Sequence, residues 1–144
     1  MKKIFVIIGL FLAMFSSAKA QNATPIEQVL KFKNDNYDFG KISFGKPASY
    51  IIEFTNIGKD TLTLLNARPG CGCTTPNFKP NEKIAPGKTG QVQITFNGSA
   101  MGNFTRATTL DFSGGLAKQT QFSGEGVAIN NAPTAPILTA PIKH

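Results

Sequence analysis

Three observations predict an all-β fold, a single two-layer sandwich of antiparallel strands. Apolar and polar residues alternate through several short runs, and helical periodicity is nearly absent. Gly, Pro and Asn punctuate the chain at intervals of roughly ten residues, the spacing of sandwich strands and their turns. The sandwich is expected over residues 30–126, behind a leader and a linker and ahead of a tail.

Residues 1–20 read as an export signal. Lys2 and Lys3 form a basic start, Ile4 to Phe15 is apolar apart from Gly9, and Ala18-Lys19-Ala20 is a small-residue cleavage site. That run is too short for a membrane helix, which needs roughly 20 residues. No second apolar run follows and no Cys stands after the cleavage site, so the mature chain is expected to be soluble, with no membrane span and no lipid anchor. Cleavage leaves Gln21 at the new terminus and residues 21–29 as a linker, in which Pro25 to Lys31 suits a helical turn or an extended segment equally. The expected destination is the periplasm or the cell surface.

The strands follow in order. Val29 to Phe32 is the first. Tyr37-Asp38-Phe39-Gly40-Lys41-Ile42 is a short second segment ending in a turn. Ser49 to Asn56 alternates cleanly, with Tyr50, Ile52 and Phe54 on one face and Ser49, Glu53 and Thr55 on the other. A turn at Asn56 to Asp60 leads to Thr61 to Ala67, with Leu62 and Leu64 inward. Gln91 to Asn97 repeats the pattern with Val92, Ile94 and Phe96 inward. Phe104 to Phe112 and Lys118 to Phe122 complete about seven strands, joined by a turn at Ser113-Gly114-Gly115. One wet face per sheet favours antiparallel pairing. Residues 127–144 carry Pro133, Pro136 and Pro141 and no charge until Lys143, which reads as a flexible Pro/Ala/Thr-rich tail, with Val127 to Ile129 offering a last strand.

Charge and motif content exclude several activities. Of the formal charge of +7, Lys2, Lys3 and Lys19 carry three, leaving +4 after cleavage. The remaining basic residues are scattered, with Arg68 and Arg106 the only arginines, where a nucleic-acid surface wants a basic stripe. The only His is His144 at the chain end, so no Ser-His or Cys-His pair can be assembled. Asp35 and Asp38 flank Tyr37 as turn-capping acids do, and Gly114-Gly115 suits a hairpin rather than a phosphate loop. No catalytic constellation and no cofactor site is predicted.

The one unusual stretch is Pro69-Gly70-Cys71-Gly72-Cys73-Thr74-Thr75-Pro76, between two strands. Residues at i and i+2 fall roughly within the 4.4–6.8 Å Cα range of a disulfide, and Gly72 offers the backbone freedom a small ring needs. Two thiolates could instead hold a soft ion such as Cu(I), whereas zinc would want four ligands. The plain alternative is a pair of small apolar loop residues, or one local bond pinning a crossover. Export exposes both thiols to an oxidising compartment, which makes the Cys71–Cys73 bond the expected resting form.

In order along the chain stand Tyr37-Asp38-Phe39-Gly40-Lys41-Ile42, Phe54-Thr55-Asn56-Ile57-Gly58, Cys71-Gly72-Cys73-Thr74, Ile84-Ala85-Pro86-Gly87 and Gly102-Asn103-Phe104. Over roughly residues 30–126 this resembles the bacterial "domain of unknown function 1573" family, with Ile57 where Thr is common. The resemblance implies an immunoglobulin-like module similar to Hydin-like and PapD-like domains, mostly exported, and it implies no enzymatic activity.

The residues thus support an exported, non-enzymatic binding or structural module of the cell envelope, working through sheet edges and loops on other envelope proteins. The alternative is a thiol redox or copper-handling protein that uses Cys71 and Cys73.

Overall fold

A computed structural model describes residues 25–128. The predicted leader, residues 21–24 of the linker and residues 129–144 of the tail lie outside the described residues.

Among the described residues, nine strands form two layers. They are β1 (Leu30–Lys33), β2 (Asn36–Ser43), β3 (Ala48–Asn56), β4 (Leu62–Pro69), β5 (Thr74–Asn77), β6 (Glu82–Ile84), β7 (Thr89–Phe96), β8 (Gly102–Phe112) and β9 (Ala117–Val127). One sheet has the order β1-β3-β7-β5 and the other β2-β9-β8-β4-β6.

Alternation builds the core. β3 and β7 pair antiparallel with Tyr50 opposite Ile94 and Ile52 opposite Val92, so their inward residues, with Phe54 and Phe96, are all 0% exposed. Leu64, Leu110, Phe112 and Phe122 face them from the second sheet, equally buried. On the wet face of β3 and β7, Ser49 and Thr95 share a hydroxyl hydrogen bond of 2.8 Å and Thr55 and Thr89 one of 2.9 Å. Polar cross-strand pairs of this kind hold register without burying charge. Aromatic rings fill the space between the layers: Tyr37 stacks on Tyr50 at 4.6 Å, Phe96 on Phe104 at 4.7 Å, and Phe54 meets Phe112 edge-on at 5.1 Å.

The architecture is the predicted sandwich, and it differs from the sequence reading in detail. The two additional strands are β5 and β6, too short to show alternation, with Pro76 inside β5. β2 pairs with β9 in parallel, Tyr37 opposite Phe122, where antiparallel pairing was expected throughout. Alternation reports which face is wet and does not encode pairing direction. A register shift between Asp38 and Lys41, with Gly40 at a φ of 63°, lets β2 run on to Ser43 instead of ending in a turn. In β4, Leu64 is fully buried, whereas Leu62 is only half-buried. A bulge before Asn66 leaves Leu65 exposed and turns Ala67 inward. Pro25 to Lys31 divides between its two options: Ile26–Gln28 is a 3-10 turn whose Ile26 joins the core, and β1 begins at Leu30.

One end of the sandwich is closed by a buried amide. Asn56 Nδ2 donates to the carbonyls of Asp60 and Ile84, both at 2.8 Å, and Asn56 Oδ1 accepts from Gly58 N–H at 2.9 Å. Its own N–H donates to Lys88 O, and its carbonyl accepts from Gly87 N–H at 2.7 Å. One residue thereby ties the β3–β4 turn to the β6–β7 turn. Pro86 and Gly87 form a type II turn, with Gly87 at a φ of 77° and a Lys88 N–H to Ala85 O bond of 2.9 Å. Gly58 does not stand at positive φ; a Cβ would sit 3.3 Å from Asn56 Oδ1 and 3.4 Å from Val29, so close approach is what Gly serves.

Candidate functional site

At the opposite end lies the crossover from one sheet to the other, between β4 and β5, and it contains Cys71 and Cys73. β4 leaves its sheet with Pro69 opposite Thr108 of β8, and β5 enters the other with Thr74 opposite Phe96 of β7. Both ends of the crossover are tied by backbone groups. Gly70 N–H donates to Ala107 O at 2.9 Å, and Asn97 N–H donates to Cys73 O at 3.0 Å. Within the loop, Thr74 N–H reaches Cys71 O at 3.3 Å.

The two sulfurs are bonded to each other, with the Cα atoms 5.3 Å apart. Both cysteines are half-buried; Cys73 packs against the core, while Thr74 is only 4% exposed. Thr74 Oγ1 lies 3.5 Å from Cys71 Sγ and 3.9 Å from Cys73 Sγ. Gly72 is exposed, stands outside the left-handed region and has open space on the side a Cβ would take, so the ring does not draw on its special conformational range. Gly70 is the constrained glycine, because a Cβ there would come 3.0 Å from Ala107 O.

Two further loops share this end. β3 begins and β7 ends here, with Ala48 opposite Phe96, and β2 and β9 finish side by side at Ser43 and Val127. Gly45 N–H donates to Gly98 O at 2.9 Å and Phe44 N–H to Val127 O at 2.8 Å, which joins the 43–47 loop to the 97–101 loop and to the end of β9. Phe44 is 42% exposed and Met101 59%, two large apolar side chains left in water on the loops beside the crossover. Sequence reading singled out the cysteines and missed Phe44, Met101 and the Thr74 hydroxyl. Thr74 stood in the quoted motif; exposure of a lone apolar loop residue leaves no periodic signal.

Several of the remaining polar residues are structurally engaged. Asp38 Oδ1 caps Gly40 N–H at 2.9 Å. Lys118 Nζ pairs with Glu27 at 2.9 Å and Asp35 at 3.2 Å while lying over the Phe32 ring. Its hydrogen bond to Glu27 holds the Lys118 ammonium above, and the Glu27 carboxyl below, their ordinary values. Arg68 makes a two-point contact with Asp111, at 2.6 and 2.8 Å, and that hydrogen bonding lowers the Asp111 carboxyl. Burial pushes the Tyr50 phenol far above its ordinary value, so it stays neutral in the core. Among the described residues no three or more His, Cys, Asp or Glu side chains converge as a metal site would require. No helix among them is long and apolar enough to cross a membrane. A groove of about 410 Å³ at the Asn56 end is lined by Val29, Lys59, Asp60, Ser113 and Leu116.

These features define an immunoglobulin-like β-sandwich whose distinctive element is a disulfide-bearing crossover. The family described as "Protein of unknown function (DUF1573)" matches residues 30–126, and the chain belongs to that family. No curated protein matches it. Among solved structures, the ASH/PapD-like domain 7 of human CEP192 is similar with a TM-score of 0.55 at 13% identity, covering 79% of this chain and 96% of that one. A protein of unknown function from Porphyromonas gingivalis W83 is similar with a TM-score of 0.57 at 16% identity, covering 67% of this chain and 46% of that one. The YadV chaperone is similar with a TM-score of 0.50 at 11% identity, covering 72% of this chain and 55% of that one. The chain thus spans under half of the Porphyromonas protein and about half of YadV. At these identities the likeness shows the fold.

Proposed function

We infer that this chain is an exported, non-enzymatic binding or structural module of the cell envelope that meets another envelope protein through the loop end bearing the crossover. The observation that carries this reading is the exposure of Phe44 and Met101 on adjoining loops there, 42% and 59%. Large apolar side chains at a loop end cost nothing in folding if a partner covers them, and loops on a rigid sandwich are where such domains carry recognition. A PapD-like domain and a chaperone stand among the proteins that share the fold, which is compatible with a protein-contact role. The predicted leader supplies the compartment.

The test is crosslinking and capture of the exported protein from intact cells, comparing the wild type with a Phe44→Asp/Met101→Asp chain. Envelope proteins captured by the wild type and lost by the variant, with an unchanged thermal midpoint, support the reading. Capture of the same proteins by both places the contact elsewhere, and a chain retained in the cytoplasm ends the envelope assignment.

A further inference from the structure

The Cys71–Cys73 bond is placed where a structural staple would contribute little and where exchange is easy. The ring closes over one intervening residue, so it removes little freedom from the unfolded chain. The crossover has its own fastenings in the Gly70–Ala107 and Cys73–Asn97 backbone hydrogen bonds and the buried Thr74. These hold both cysteines in place whether or not the sulfurs are joined. The bond is nevertheless accessible: both cysteines are half-exposed, and the space beside Gly72 is open. Accessible disulfides that are not needed for folding are the labile, exchanging ones.

The two sulfurs are not equivalent. Cys73 packs against the core and is followed directly by Thr74, whereas Cys71 is not among the residues packed against that core. An incoming thiolate reaches Cys71 more readily. Thr74 Oγ1, 3.5 Å from one sulfur and 3.9 Å from the other, is placed to donate a hydrogen bond to whichever sulfur becomes a thiolate. Such donation lowers the leaving thiol's pKa and speeds its departure.

We propose that Cys71–Cys73 is a thiol–disulfide exchange site that accepts two electrons from a dithiol on another protein. One thiolate of the partner attacks Cys71 Sγ, a Cys71–partner bond forms, the Cys71–Cys73 bond breaks, and Cys73 leaves as a thiolate facing Thr74 Oγ1. The partner's second thiolate then attacks its own sulfur of the mixed bond and releases Cys71 as a thiolate. The partner ends as a disulfide, and Cys71 and Cys73 take up two protons to end as thiols. This proposal does not depend on which surface binds the envelope partner.

The experiment uses the full mature chain with glutathione as the probe. In a series of reduced-to-oxidised glutathione ratios, alkylation and intact mass should show the wild type passing from disulfide to dithiol, with its thermal midpoint shifting by no more than a few degrees. Offered oxidised glutathione, a Cys73→Ser chain should form the mixed disulfide on Cys71 at least tenfold faster than a Cys71→Ser chain forms it on Cys73. Thr74→Val, which keeps the shape and removes the hydroxyl, should slow reduction of the wild-type bond several-fold without altering the midpoint. Resistance of the bond to any glutathione ratio in the folded chain would overturn the proposal. So would unfolding on reduction, which would show a staple. Equal rates from the two single variants would overturn the assignment of Cys71 as the attacked sulfur.

Discussion

The two ends of this sandwich are closed by different means. At one end Asn56 spends its whole side chain on closure, donating to Asp60 and Ile84 and accepting from Gly58, and it is 0% exposed. At the other end the backbone holds the crossover, and the Cys71 and Cys73 sulfurs bond to each other beside the Thr74 hydroxyl. Of the stretches Asn56-Ile57-Gly58 and Cys71-Gly72-Cys73-Thr74, only the first spends hydrogen-bonding side-chain groups on closing the fold. A motif whose side chains are not spent on hydrogen bonds that close the fold is where chemistry should be sought. The second difference is exposure, since Phe44 and Met101 stand exposed on joined loops beside the crossover while the Asn56 end carries exposed Ile57.

The largest expected effects test whether the core beneath the two ends is equally firm. Phe54 packs near the Asn56 end against Phe32 and Phe112, and Phe96 near the crossover against Phe104 and Phe122. Both rings are 0% exposed. Phe54→Ala and Phe96→Ala should therefore each cost about 3–5 kcal/mol in denaturant unfolding. A cost at Phe96 below about 1 kcal/mol would mean that the crossover end is loosely packed in solution, and the contrast drawn above would then be one of rigidity rather than of bonding.

Next in size is the amide. Asn56→Ala leaves the carbonyls of Asp60 and Ile84 and the N–H of Gly58 without their partner. Unsatisfied buried groups cost roughly 1–3 kcal/mol each, partly relieved near a turn by water, so a total of about 3 kcal/mol is expected. Asn56→Asp adds a pH signature. Its carboxylate can still accept from Gly58, but it faces two carbonyl oxygens with no hydrogen to give. That environment raises the carboxyl's pKa above its unfolded value. The destabilisation should be full at neutral pH and should shrink as pH falls through the raised value, when the protonated acid can donate one bond. A variant whose stability is flat across that range would show that Asn56 is not the closing group.

How far these features were legible in the sequence follows from what alternation encodes. Tyr50, Ile52 and Phe54, and Val92, Ile94 and Phe96, were readable as core because each occupies every second place in a strand with one wet face. β5 and β6 were not, since four and three residues give no period, and Pro76 argued against a strand that the sheet edge tolerates. The parallel β2–β9 pair was hidden because direction leaves no trace in alternation. At the site, the cysteines were visible by spacing alone. Thr74 Oγ1 beside their sulfurs, and the loops carrying Phe44 and Met101 beside the crossover, needed the fold to bring them together. Asn56 was half legible: its turn was expected, and its second employment, on Ile84 O some 28 residues away, was not.

The smallest expected effect bears most directly on the contrast between the ends. Replacing both Cys71 and Cys73 by Ser removes a cross-link that spans a separation of only two residues. Chain-entropy arithmetic for so short a ring gives less than about 2 kcal/mol. The Gly70–Ala107 and Cys73–Asn97 hydrogen bonds are made by backbone atoms, so they survive the substitution. The double variant should therefore lose less than Asn56→Ala in parallel denaturant titrations, despite having lost a covalent bond where the other lost only hydrogen bonds. The ordering matters more than either number, because errors in extrapolated free energies are shared by the two measurements. A Cys double variant that lost more than Asn56→Ala would reverse the assignment: the disulfide would then be the fastening at its end, both ends would be structurally committed, and the case for exchange chemistry at Cys71 and Cys73 would lose its physical basis.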